Sequence, residues 1–115
     1  MIIYHIAKNE GIQKVLEGEN YSGDSLISEG FIHCSSADQV IDVVNQRFKG
    51  QGNLVLLYIE TDLVRPEIRF ENLEGGKKLF PHIYGAVNRD AIRKMVKFSP
   101  GNDGLFVLPA DIEAA

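Results

Sequence analysis

The run Leu54-Val55-Leu56-Leu57-Tyr58-Ile59 constrains this chain more than any other feature. It is nearly continuous in apolar character, preceded by Gly50 and Gly52 and followed by the polar pair Glu60-Thr61. Such a run reads as a strand at the centre of a sheet. The segments around it complete the pattern. Ile2 to Ile6 reads as a buried opening strand, and Lys8 to Leu16 as a short helix with Ile12, Val15 and Leu16 at helical spacing. Ser25 to Gly30 predicts a helical turn closed by its glycine. Phe31 to Cys34 is a short strand. Ser35 or Ser36 is placed to cap a helix over Ala37 to Lys49. Ile68 to Phe70 is a further strand, Glu74 to Lys77 a turn, and Ala91 to Phe98 a strand after a brief helical turn. Leu105 to Leu108 reads as the last strand. Strands cluster in the second half without regular βαβα alternation, so the expected class is α+β with a mostly antiparallel sheet.

At 115 residues, with 44% hydrophobic and 24% charged, the chain suits one domain whose core needs no disulfide. Its net charge of -4 argues against nonspecific binding to a nucleic-acid backbone, although Arg89, Arg93, Lys94 and Lys97 lie close together. Cys34 is the single cysteine, which excludes an internal disulfide and fits a reducing cytoplasm. Met1 to Ile6 is too short for a signal peptide, and no apolar run is long enough to cross a bilayer. The expected location is cytoplasmic, with no membrane partner.

The three histidines all sit on apolar segments, in Ile3-Tyr4-His5-Ile6, Gly30-Phe31-Ile32-His33-Cys34-Ser35 and Phe80-Pro81-His82-Ile83-Tyr84-Gly85. A neutral imidazole donates or accepts a proton near neutral pH. On extended backbone His33 and Ser35 share a face, as do His82 and Tyr84. His33 is either a site residue near a helix N-terminus that favours phosphate, or a core-edge histidine bonded to a carbonyl. His82 and Tyr84 are either aimed into a cleft by Pro81 or part of a rigid loop with Tyr84 as an aromatic plug. His5 fits a buried, hydrogen-bonded histidine better than a ligand contact. Cys34 should face away from His33 and behave as a small hydrophobe. Glu71 either orients a hydroxyl or imidazole at a strand end or forms a surface pair with Arg69. The histidine spacings carry no metal signature, and no metal is expected.

Glu29-Gly30-Phe31-Ile32-His33-Cys34-Ser35 and Phe80-Pro81-His82-Ile83-Tyr84-Gly85, with the opening strand and Leu54 to Ile59, resemble a family of small bacterial proteins of unknown function over about Ile2 to Phe98. That family is similar in fold to the ADP-ribosyltransferase superfamily. The resemblance implies split antiparallel sheets with short helices and a cleft for NAD. It implies that His5, Ser35 and Tyr84 bind the cofactor and that His33, His82 and Glu71 form the catalytic group. Where the superfamily often has a late-strand Glu, this chain offers His82 and Tyr84, and Glu71 lies earlier than the pattern wants it. A histidine there suits a phosphate acceptor, as in transferases that remove a 2′-phosphate from RNA. A module that binds a nucleotide without turnover, or a purely structural protein, are the competing expectations.

Overall fold

A computed structural model describes residues 1–72 and 76–112. Strand β1 spans Ile2–Lys8, helix α1 Gln13–Leu16, α2 Asp24–Glu29, β2 Ile32–His33, α3 Val40–Arg47, β3 Leu54–Glu60, β4 Ile68–Glu71, β5 Phe80–Ile83 and β6 Ile92–Phe98. Single 3-10 turns cover Asn9–Gly11, Thr61–Leu63 and Arg89–Ala91. The strands form two antiparallel three-stranded sheets, ordered β1-β3-β6 and β2-β5-β4. The fold class is therefore α+β, as the strand pattern predicts.

Strand β3 is central because both of its faces are apolar and both are covered. Val55, Leu57 and Ile59 join Ile3 and Ala7 in a cluster with Ile32, Cys34 and Ile83 of the second sheet. Leu54, Leu56 and Tyr58 face the other way, against Val40 and Val44 of α3 and Phe106 and Ile112 of the C-terminal segment. Each buried aliphatic side chain contributes roughly 1.5–3 kcal/mol over its exposed state. The two layers on β3 therefore hold the sheet, the helix and the C-terminal segment together.

The second sheet obeys the period of two. Ile32 and Ile83 are fully buried in the shared core. Residues that alternate with them, Phe31 and His33, His82 and Tyr84, Arg69 and Glu71, occupy its other face. The two sheets meet at one rung: Tyr4 and Ser35 exchange both backbone hydrogen bonds, each 2.8 Å.

Several expectations are corrected. The opening strand runs on to Lys8, because Ala7 and Lys8 pair with Val55 and Leu54. The expected helix over Lys8 to Leu16 is reduced to a 3-10 turn and the single turn of α1. Neither serine hydroxyl caps α3. The Ser36 carbonyl accepts from Gln39 and Val40 N–H at 3.1 Å, its hydroxyl donates to Asp38, and the Ser35 backbone pairs with Tyr4. The helix begins only at Val40, so His33 does not sit at its N-terminus. The segment carrying His82, left open between cleft wall and rigid loop, is the strand Phe80–Ile83, in which the Pro81 carbonyl accepts the Cys34 N–H at 3.0 Å. Leu105 to Leu108 is not a strand. The Phe106 backbone is bonded in both directions by the Asn45 side chain, at 2.7 and 3.2 Å, in place of a ladder partner. The turn expected over Glu74 to Lys77 lies partly outside the described residues. Among the described residues no helix is long and apolar enough to cross a membrane.

Gly85 closes β5 against Pro66. A Cβ at this position would lie 2.9 Å from Pro66 Cβ, and a proline ring cannot swing aside. Gly85→Ala is expected to cost about 1–3 kcal/mol through overpacking. Urea denaturation checks this, and a variant as stable as the parent would show that the Pro66 loop yields.

Candidate active site

A cavity of about 740 Å³ opens beside the Tyr4–Ser35 rung. The second sheet contributes Phe31, His33, Glu71 and His82 to its lining. Strand β1 adds Ile6 and Lys8, and α3 adds Val43 and Arg47.

His33 and His82 are direct partners across β2 and β5. Their ring centroids are 5.2 Å apart and the planes are nearly perpendicular, at 79°. Phe31 packs on both rings, 4.8 Å from His33 and 4.4 Å from His82. The central idea drawn from the two histidine motifs, that distant imidazoles meet in one hollow, thus has a geometric basis.

Each imidazole has its own carboxylate. His33 Nε2 is 2.8 Å from Glu29 Oε2, at the end of α2. His82 Nδ1 donates to Glu71 Oε1 at 3.0 Å, and the same oxygen accepts from the Tyr84 hydroxyl. The Tyr84 and His82 hydrogen bonds hold the Glu71 carboxyl below the usual carboxylate range. An ionised Glu71 can only accept, so the His82 proton sits on Nδ1 and the neutral ring keeps its lone pair on Nε2. The hydrogen bond to Glu71 also pushes the Tyr84 phenol up. Tyr84 does not line the cavity; the Arg69 guanidinium lies 4.5 Å from its ring centroid. Arg69 pairs with Glu67 at 3.0 Å, so the expected surface pair with Glu71 is replaced by the contacts of Glu71 to His82 and Tyr84.

His5 is buried behind this face. Its Nδ1 donates to the His33 carbonyl at 2.5 Å, and its Nε2 accepts from the Tyr21 hydroxyl at 2.7 Å. Burial drives its pKa down to about 4, so the ring is neutral at pH 7 and both nitrogens are committed. Ser35 lines the cavity, and its hydroxyl makes no hydrogen bond among the described residues. Cys34 packs in the shared core beside Ile32, and burial pushes its thiol up. Among the described residues no three His, Cys, Asp or Glu side chains are grouped to hold a metal.

With this geometry in place, comparison with known proteins adds the family. The model of a family described as protein of unknown function, DUF952, matches residues 6–95. The chain belongs to the DUF952 family. That span includes His33, Glu71, His82 and Tyr84, whereas His5 falls just before it. The crystal structure of protein CC0527 from Caulobacter crescentus is 26% identical, with a TM-score of 0.82 over 94% of this chain and 95% of that one. The solution NMR structure of CC0527 gives 27% identity and a TM-score of 0.77, over 93% and 92% of the two chains. No curated protein matches the chain.

Sequence reasoning gave no role to three residues around the site of this DUF952 protein: Tyr21, Glu29 and Phe31. Glu29 carried a usable signal, four residues before His33 across a glycine that ends α2 with φ 86°. Phe31 shares the alternation of His33. Tyr21 lies in a turn-rich stretch, and nothing local ties it to His5.

Proposed function

We propose that this DUF952 protein binds a nicotinamide dinucleotide in the cleft and transfers ADP-ribose from it to an acceptor. The observation that carries the reading is the pair of facing imidazoles, His33 and His82, in a cavity of about 740 Å³, a size suited to a nucleotide. In the transfer the bond from the ribose to nicotinamide breaks, and a bond from the ribose to an acceptor oxygen forms. An acceptor hydroxyl gives its proton to His82 Nε2, while Glu71 holds the other side of that ring. His33 and Ser35 contact the ligand, Tyr84 holds Glu71, and His5 supports His33 from behind.

A second reading is a module of the same fold that holds a nucleotide without turnover. It is favoured by Glu71, which already answers two donors and has less charge to offer a cationic sugar centre.

Ligand-observed NMR with NAD tests both. Saturable binding is expected, weakened about tenfold or more in His33→Ala and His82→Ala, the scale of a lost buried hydrogen bond. Nicotinamide release, followed by chromatography, supports transfer; binding without release supports the module. Unchanged binding in two folded variants, or none in the parent, removes both readings.

A further inference from the structure

The groups around the cleft define a second kind of chemistry. No side chain there is built as a nucleophile. Cys34 touches the cavity wall but is buried in the shared core, and the Ser35 hydroxyl has no base bonded to it among the described residues. What the site does hold is two imidazoles on one sheet face, each tied at one nitrogen to a carboxylate. His33 Nδ1 and His82 Nε2 have no hydrogen-bond partner among the described residues. Lys8 and Arg47 line the same cavity together with Glu10 and Asp24, and Lys8 pairs with Asp24 at 3.6 Å. A base and an acid side by side, with no protein nucleophile, suit a substrate that carries its own nucleophile next to a leaving centre. A ribonucleotide phosphodiester is such a substrate, because its 2′-hydroxyl adjoins the phosphorus.

We propose that His33 and His82 form an acid–base pair that cleaves ribonucleotide phosphodiesters by internal transphosphorylation. His82 Nε2 takes the proton of the 2′-hydroxyl, and the 2′-oxygen forms a bond to phosphorus. The bond from phosphorus to the 5′-oxygen breaks, and that oxygen receives a proton from Nδ1 of protonated His33. The products are a 2′,3′-cyclic phosphate and a free 5′-hydroxyl. His82 ends protonated and His33 neutral, and exchange with water resets both. Nothing is oxidised or reduced, and no co-reactant is consumed. Glu71 and Glu29 are positioning residues that fix the ring each one holds. The 5.2 Å between ring centroids lets one phosphodiester reach both side chains. The proposal stands apart from ADP-ribosyl transfer, since the step needs no NAD.

The test uses the full chain with uridylyl-adenosine and its 2′-deoxy analogue, without NAD, followed by phosphorus NMR. Cyclic phosphate is expected from the ribose substrate and none from the deoxy one. His33→Ala and His82→Ala should each lower the rate at least about 100-fold. His33→Gln and His82→Gln, which keep more of the side-chain volume, should do the same, with folding checked by circular dichroism. The pH–rate profile of the parent should be bell-shaped. Glu71→Gln should lower kcat about tenfold at unchanged KM. No cyclic phosphate from the parent, equal rates in the histidine variants, or cleavage of the deoxy analogue would each overturn the proposal.

Discussion

Lowering the pH from 7 to 4 is expected to remove about 3 kcal/mol of stability through His5 alone. The side chain titrates at about 4 in the folded protein, against 6.5 for a free histidine. Between those two values the unfolded chain takes up a proton that the native chain refuses. Stability from this source is therefore complete above pH 6.5, falls as the pH drops through the interval, and is gone below about 4. The cause is structural: the ring is buried, its Nδ1–H is held by the His33 carbonyl, and its Nε2 is filled by the Tyr21 hydroxyl. Adding a proton to Nε2 puts a second donor against that hydroxyl inside the core. His5→Gln supplies a comparison, because an amide can donate to the carbonyl and accept from the hydroxyl without titrating. Urea unfolding of both proteins across the range should show the steep loss in the parent only. Carboxylates with lowered values, such as Glu71 and Asp111, add losses common to both proteins further into acid. Parallel curves would mean that the buried ring is not what limits the fold in acid.

Leu57→Ala should destabilise the protein by about 2–5 kcal/mol, the range for truncating a buried leucine. Leu57 is fully buried on β3 and lies directly across from His5 in the ladder with β1. Its removal leaves a void next to the buried His5 ring. The size of the loss depends on how far Ile3, Ile59 and Ile83 can collapse into the space. The two predictions are coupled. If water enters the void, the His5 ring is less desolvated and its titration rises toward the free value. The acid loss in Leu57→Ala should then be smaller than in the parent, measurable as a shallower fall of unfolding free energy with pH. A substitution cost under 1 kcal/mol would show that the layer beneath β1 is loosely packed.

The elements most readable from sequence were those fixed by local pattern. The unbroken apolar run gave β3 its central place, and β-branching tipped Ala91 to Phe98 toward a strand after a brief helical turn, against the helical spacing of Ile92, Met95 and Val96. Alternation placed His33 and Ser35 on the cavity lining and Cys34 in the core, although Cys34 also reaches the cavity wall. The features that escaped depend on partners distant along the chain. The Pro81 segment read either as a cleft wall or as a rigid loop, and β5 exists because β2 and β4 pair with it on either side. The pattern at Leu105 to Leu108 suggested a strand, and a single side chain, Asn45, claimed the backbone first. The choice between Glu71 orienting an imidazole and pairing with Arg69 stayed open, because its bond to His82 follows from the register of β4 against β5 and from no spacing in the chain. The cofactor-side role expected of His5 meets a ring with both nitrogens committed, which only the Tyr21 contact reveals.

The rung between Tyr4 and Ser35 carries a mechanical implication. Both of its hydrogen bonds are main-chain, so the spread of the two sheets is set by peptide groups rather than by what residue 35 carries. Small side chains at that position are interchangeable as far as the gap is concerned. An imino acid is the exception: it would delete the donor that faces Tyr4 and let the sheets hinge apart.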